Sequence, residues 1–331
     1  MDLTTHYLGF KLPHPLVAGA SPMARDLDTV RRLEDAGAAA FVMHSLFEEQ
    51  IIQEQIATAA AFDQPAESYG EALSYFPTPP DFELGPAEYL EQLRRVKQAV
   101  SIPVFGSLNG ATTGGWLEYA CLIQQAGADA LELNVYDLAT SSHENARDIE
   151  NRTIELVTEV RRKLTIPLAV KLSPFYTALP HFARRLTTAG ADGLVLFNRF
   201  YQPDIDLEEL EVIRLHLSDS ESSELLLRLH WLAILSGQID ASLAVTGGVH
   251  TGIDAIKAVM TGAHAVQMVS ALLRNGPGHV HSVREQMTNW LEEHEYDSIQ
   301  QMLGSMSLNR CPDRQAYERV NYIQLLQSWR P

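Results

Sequence analysis

Apolar residues in this chain gather into short runs, each preceded by an amphipathic stretch and a small-residue break. Four units share one pattern. Ala36-Gly37-Ala38 leads into AAFVMH, Ala126-Gly127-Ala128 into DALELN, Ala189-Gly190-Ala191 into DGLVLFN, and Thr261-Gly262-Ala263 into HAVQMV. The stretch before each break has helical period, and the Gly stands where a helix ends in a left-handed cap. An apolar run of that length predicts a strand buried on both faces, as in parallel sheets. A second set alternates with the first. Pro103 opens PVFGSL, Pro167 opens PLAVKL, and residues 15–19 (PLVAG) and 241–248 (ASLAVTGG) read alike. Pro is tolerated at a strand's first position and blocks continuation of a helix.

The pattern predicts eight strands, near 15–19, 40–44, 103–107, 130–134, 167–171, 193–197, 242–246 and 264–268. Helices alternate with them, near 26–36, 86–100, 113–126, 148–163, 177–189, 222–237, 251–261 and 280–293. Eight βα units in about 250 residues make an α/β fold of the (β/α)8 TIM-barrel class. A doubly wound sheet is the alternative, but its G-x-G-x-x-G fingerprint is absent. Residues 1–293 are expected to form the barrel, and 294–331 a C-terminal helical extension packed on it. Residues 45–85 form a long loop after the second strand, on the rim where barrel active sites are built. Its Tyr69, Tyr75, Phe76, Pro77, Pro79, Pro80 and Phe82 suit a lid; the alternative is an ordered loop packing on a neighbouring subunit.

Composition narrows the function classes. The chain has 331 residues, 46% of them apolar, enough for a sizeable core. No run approaches a membrane span, and MDLTTHYLGFKLPHP does not read as a signal peptide. A net charge of -17 argues against nucleic acid or an anionic membrane as partner. Two cysteines, Cys121 and Cys311, cannot frame a disulfide scaffold, an all-cysteine zinc site or an iron-sulfur cluster, so no metal is expected. The cytoplasm is the expected compartment. Only five of the 25 basic residues are lysines.

The C-terminal ends of the strands hold the candidate chemistry. In order they present Ala20, Ser21 and Pro22; His44 and Ser45; Ser107 and Asn109; Asn134, Tyr136 and Asp137; Lys171 and Ser173; Asn198 and Arg199; Gly247 and Gly248; Ser270 and Ala271. VTGGVHTGIDAIKAVMTGAHAVQMVSALL carries a strand, a Gly-Gly turn and a helix start, followed by another strand and helix start. Glycine N–H groups and helix N-termini are preorganised for a phosphate; the alternative is a plain tight turn. Lys171 is the one Lys at the C-terminal end of a predicted strand. It could form a Schiff base, stabilise negative charge on a reduced flavin, or pair structurally with a carboxylate such as Glu132. Asn134 and Asn198 flank it on neighbouring strand ends and offer amide groups to a planar heterocycle.

These residues resemble the dihydroorotate dehydrogenase-like family of FMN-binding barrels. The resemblance covers about residues 5–290 and rests on PHPLVAGASP, VMHSLFEEQI, LELN, VKL, FN and, most specifically, VTGGVHTGIDAIKAVMTGA. It implies FMN as cofactor, with Gly247, Gly248, Ser270 and Ala271 at its phosphate. Ala20 and Ser21 would lie along the flavin, with His44, Ser45 and Asn134 beside it and Lys171 at its pyrimidine edge. Asn198, Arg199 and Asn109 fall to the substrate. The implied reaction is hydride transfer to flavin from a small planar or carboxylated substrate, such as dihydroorotate going to orotate in pyrimidine biosynthesis.

The departures from the family are specific. Where the family carries a Cys or Ser base after the fourth strand, this chain reads Asn134-Val135-Tyr136-Asp137-Leu138-Ala139. Asp137 stands at the base position, with Tyr136 as a neighbouring hydrogen-bond donor. The family's substrate loop is not visible in 45–85, its usual Lys after the second strand aligns with His44, and a Ser or Thr beside the sixth-strand Asn becomes Arg199. Arg199 could fork onto a substrate carboxylate or pair with Asp204 or Asp206. No dinucleotide fingerprint or leading amphipathic helix pair points to NAD or a membrane quinone. A soluble acceptor or partner protein is expected to reoxidise the flavin, and a homodimer suits the lid-like loop. Two other readings remain: a non-redox barrel enzyme using Lys171 as a Schiff base, and a flavin-binding subunit without turnover of its own.

Overall fold

The computed structural model describes residues 1–51, 85–110, 116–137, 139–199, 204–208, 211–213, 220–314 and 321–328. The lid-like aromatics expected at 69–82 lie outside the described residues.

The chain opens with a short antiparallel hairpin, β1 (Thr5–Tyr7) and β2 (Phe10–Leu12). The barrel strands are β3 (Leu16–Ala18), β4 (Phe41–Val42), β6 (Val104–Asn109), β7 (Ala130–Asn134), β8 (Leu168–Leu172), β9 (Gly193–Leu196), β12 (Ser242–Thr246) and β13 (Ala265–Met268). Each pairs in parallel with the next. The ring closes where β13 pairs with β3 and β4 with β6. Two minor pieces accompany the ring: β5 (Leu46–Phe47), which pairs in parallel with the end of β6, and a hairpin of β10 (Asp204–Asp206) and β11 (Glu211–Ile213). The intervening helices are α1 (Leu27–Asp35), α2 (Pro86–Ala99), α3 (Trp116–Gln125), α4 (Ala146–Lys163), α5 (Leu179–Thr188), α6 (Leu225–Leu235), α7 (Gly252–Thr261), α8 (Ser270–Asn275) and α9 (His279–Glu293). The chain is a (β/α)8 TIM barrel.

The repeated Ala/Thr-Gly-Ala break has one physical explanation. Gly37, Gly127, Gly190 and Gly262 all have φ between +90° and +118°. In each unit the N–H of the following Ala returns to a carbonyl five residues back: Ala38 to Leu33, Ala128 to Ile123, Ala191 to Leu186, Ala263 to Ala258. This bond closes the helix and turns the chain into the next strand. The strand-opening prolines lose a donor but keep an acceptor. The carbonyls of Pro15, Pro103 and Pro167 accept from Val266, Phe41 and Leu131 on neighbouring strands.

Alternate strand positions feed two separate clusters. Leu16, Phe41, Val104, Leu131, Leu168, Leu194, Leu243 and Val266 join the layer between strands and helices. Val17, Ala40, Val42, Phe105, Ala130, Ala169, Val195, Ala244 and Ala265 fill the barrel interior with Tyr7, Leu8 and Leu12 of the hairpin. Five alanines leave room for the rings of Tyr7 and Phe105, whose centroids are 6.1 Å apart. The N-terminal end is therefore plugged. Two residues further along the strands the inward positions turn polar: Ser107, Glu132, Lys171, Thr246 and Gln267, all buried. Polar groups are costly in a core unless satisfied, and this layer faces the C-terminal end.

After α9, α10 (Ile299–Met302) buries Ile299 and Met302, and Ile299 N–H donates to the Asp2 carbonyl at 2.9 Å. A last helix, α11 (Asn321–Gln327), exposes Tyr322, Ile323, Leu325 and Leu326.

Candidate functional site

The polar layer is organised around one ion pair. Lys171 Nζ donates to Glu132 Oε1 at 3.2 Å, and Gln267 Nε2 donates to Glu132 Oε2 at 2.5 Å across the barrel from β13. In register Lys171 lies beside Asn134, and Asn134 beside Asn109. The expected Lys171, Asn134 and Asn109 are thus consecutive neighbours on three strand ends.

Several buried acceptors and donors around this layer have no partner among the described residues: Ser21 Oγ, His44 Nδ1, Asn134 Oδ1 and Gln267 Oε1. Buried polar atoms left unpaired are uncommon and destabilising. Four at one end of the barrel point to a polar ligand with several hydrogen-bonding edges. Ala20 packs against the barrel interior, and Ser21 stands at the end of β3 before a turn of 3-10 helix. The His44 ring meets Tyr89 edge-on at 5.0 Å. Burial pushes His44 down to about 4, with the Arg25 cation adding to it, so its imidazole is neutral near pH 7. Tyr89 hydroxyl donates to the Ser107 carbonyl and accepts from the Ser107 N–H, and so serves as a strand neighbour where β4 ends. Ser45 Oγ and Ser107 Oγ share a hydrogen bond of 2.8 Å.

The loop after β7 carries Tyr136 and Asp137, both half-buried. Asp137 Oδ2 accepts from Arg152 Nε at 3.1 Å and Nη2 at 2.5 Å, and Arg152 Nη1 also donates to Glu144. Asp137 is therefore tied to α4. Asn198 is held from both sides: its N–H donates to the Leu172 carbonyl and its Nδ2 to the Val135 carbonyl. Arg199 is half-buried and lies near enough to Arg228 to disfavour that residue's charge. Its alternative pairing with Asp204 or Asp206 involves side chains outside those described.

On the opposite side of the rim, Gly247 and Gly248 follow β12 with φ of +88° and +78°. A Cβ on Gly248 would lie 2.4 Å from the Leu225 backbone nitrogen, so only glycine fits between this turn and the start of α6. Thr251 caps α7 through the Asp254 N–H, and Asp254 returns a bond to the Thr251 N–H. Ser270 opens α8, and Ala271 is fully buried. A glycine cradle beside helix starts suits a phosphate. The cradle suits an anionic group and the unpaired polar atoms suit a planar heterocycle, the two kinds of chemistry that a flavin nucleotide presents.

Sequence reading did not identify Arg228, Gln267 or Tyr89 as parts of this end of the barrel. Gln267 was legible as the polar member of HAVQMV, and Arg228 as a lone cation in LLLRLHWLAIL. Among the described residues no group of three or more His, Cys, Asp or Glu side chains could hold a metal. No described helix is long and apolar enough to cross a membrane.

A family model described as dihydroorotate dehydrogenase matches residues 83–291. The NAD-dependent dihydropyrimidine dehydrogenase subunit PreA of Escherichia coli is 25% identical over 341 residues, covering 97% of this chain and 82% of the relative. The catalytic subunit of dihydroorotate dehydrogenase B (NAD(+)) from Thermoplasma volcanium is 23% identical, covering 92% of this chain and 98% of the relative. The chloroplastic dihydropyrimidine dehydrogenase (NADP(+)) of Arabidopsis thaliana is 24% identical over 92% of this chain and 76% of its own length.

Proposed function

The chain belongs to the dihydroorotate dehydrogenase family, and from that premise we propose that it is an FMN-dependent oxidoreductase acting at the C-terminal end of the barrel. The observation that carries the reading is the set of unpaired buried polar atoms, Ser21 Oγ, His44 Nδ1, Asn134 Oδ1 and Gln267 Oε1, at the same end of the barrel as a glycine cradle. FMN, when bound, supplies a two-electron acceptor for hydride from a C–H bond.

The residues divide that work. Gly247, Ser270 and Ala271 would hold the phosphate through backbone N–H groups, while Gly248, whose N–H donates to Ser220 Oγ, would shape the turn and bring that hydroxyl to it. Ala20, Ser21, His44, Ser45 and Asn134 bind along the ring. Lys171, fixed by Glu132, would offer positive charge to the pyrimidine edge of a bound ring. Asn198, Arg199 and Asn109 bind a small planar, carboxylated substrate, with Arg199 suited to a carboxylate. Oxidation next to a carbonyl also needs a proton removed. That role falls to Asp137, oriented by Arg152 as a catalytic base is oriented by a third group, with Tyr136 as donor beside it. With Oδ2 taken by the guanidinium, the proton goes to Oδ1.

The relatives' names extend the substrate class to dihydroorotate and dihydropyrimidines. Two of them are named subunits, which supports reoxidation through a partner protein. The test begins with a visible spectrum of the purified protein. A flavin band near ~450 nm after FMN reconstitution supports the reading, and its absence removes it. Anaerobic mixing then separates substrates. Dihydroorotate is expected to bleach the flavin slowly or not at all, because the base and the substrate loop both differ from the family's; rapid bleaching would overturn that expectation.

A further inference from the structure

A buried cation lies behind the Gly247-Gly248 turn, with no part in the chemistry above. We propose that Arg228 is a positioning residue that makes this turn select a phosphate-bearing flavin over the same flavin without phosphate. The inference rests on the flavin reading and adds the residue that sets the preference.

Arg228 stands in the first turn of α6, in an otherwise apolar helix face, with its side chain 8% exposed. Its Nε donates to the Thr246 carbonyl at 2.5 Å and its Nη1 to the Glu224 carbonyl at 2.5 Å. A peptide group is planar and trans, so its C=O and N–H point in opposite directions. Holding the Thr246 carbonyl behind the turn therefore aims the Gly247 N–H to the front. The guanidinium also presses close: a Cβ on Gly247 would lie 2.7 Å from Nη2. Gly247 is thus required by Arg228 as well as by its φ of +88°.

Among the described residues, the carboxylates near this turn are set back or already engaged. The carboxylate paired with Arg228, Glu224, stands off at 3.8 Å and is one-third exposed. Asp254 is committed to the α7 cap, accepting from Ser222, His250 and Thr251. Arg199 adds a second cation near Arg228, and Arg274 and His279 stand near His250. The Gly248 N–H donates to Ser220 Oγ at 3.3 Å, and Ser220 Oγ shares a hydrogen bond of 3.3 Å with His250 Nε2, which leaves the Gly247 N–H as the turn's donor. A buried cation without a close carboxylate is costly, and the cost falls when an anion binds beside it. In a chain of net charge -17 such a cation cluster is local and specific.

The test compares FMN with riboflavin, which differ by the phosphate alone. The full-length chain, stripped of flavin, is titrated with each by fluorescence quenching, with thermal melts as a check on folding. Wild type should prefer FMN. Arg228→Gln should lose about a hundredfold in FMN affinity, with riboflavin affinity unchanged within about threefold. Arg228→Lys keeps the charge but not both carbonyl bonds, and should lose about tenfold for FMN alone. It decides the matter if the Gln variant does not fold. An equal loss for both flavins, or no loss for FMN, overturns the role of Arg228 while the flavin reading stands. Wild type that binds neither flavin removes the flavin reading and this proposal together.

Discussion

Lys171 Nζ and Glu132 Oε1 meet at 3.2 Å inside the barrel, with side chains 10% and 2% exposed. The pair joins two adjacent strands and extends to Gln267 on the far side. The structural pairing weighed for Lys171 is present, and the role proposed for its ammonium uses the orientation that pairing sets. A buried ammonium must have a carboxylate to exist in the folded chain, and that carboxylate also fixes where the ammonium points.

Glu132→Gln should accordingly destabilise the protein by about 3–5 kcal/mol, because it leaves an uncompensated buried ammonium. Lys171→Met added to it should restore part of that loss, since two neutral side chains of similar volume remove the buried charge altogether. Urea midpoints of wild type, both single variants and the double variant give the coupling energy. Strict additivity would show that the two residues do not depend on each other.

A second prediction concerns Asp137 and Arg152. Asp137→Asn should slow anaerobic flavin reduction by a working substrate by about 10²-fold or more, the usual range for a lost general base. Arg152→Gln should slow it less and lower stability by about 1 kcal/mol, since the partners are partly exposed. Stopped-flow reduction and denaturant melts read the two effects separately. If Asp137→Asn reduces its flavin at the wild-type rate, the carboxylate only anchors the loop after β7 to α4, and Tyr136→Phe becomes the variant to measure.

The barrel was legible because its punctuation is covalent and local. Gly at a left-handed helix end and Pro at a strand start act through backbone conformation, which a single sequence displays. Lys171 and Asn134 were legible as rim residues because a polar side chain at the end of an apolar strand stands out from the pattern, although the pattern does not show that Lys171 pairs with Glu132. Arg228 was not, because its position under the Gly247 turn depends on how α6 packs against β12. Arg152 was hidden in the same way: fifteen positions separate it from Asp137, and on the sequence it is one of several charges along a solvated helix. Long-range ion pairs carry no periodic signal.

The helix-ending glycines give a third prediction. Gly127 has φ of +99°, and the nearest atom to an added Cβ is Lys97 Cγ at 3.8 Å. Substitution there meets backbone strain without a steric clash. Gly127→Ala should cost about 1–2 kcal/mol, and Gly127→Asn less, because Asn tolerates the left-handed region better. Equal and negligible effects in chemical denaturation would show that this cap does not need its glycine.

Acid stability follows from buried histidines. His14 Nδ1 accepts from the Leu16 N–H at 3.2 Å and its Nε2 lies 2.6 Å from the Gly37 carbonyl, which fixes a neutral ring with the proton on Nε2. A second proton on Nδ1 would face the Leu16 N–H. Burial, outweighing the Gly37 bond and assisted by Arg284, pushes His14 down to about 4 from 6.5. Burial lowers His44 to about 4 as well, and lowers His264 and His250. The unfolded chain binds these protons first as pH falls. The stabilisation from burying neutral rings is therefore complete above about pH 6.5–7 and is lost progressively toward pH 4. Each of His14 and His44 should contribute about 2 kcal/mol of lost stability between pH 7 and pH 5. His14→Gln, which can keep a donor toward Gly37 but cannot titrate, should reduce that pH dependence by about the same amount, read from urea midpoints at the two pH values. An unchanged difference between pH 7 and pH 5 would show that His14 is not held neutral in the folded protein.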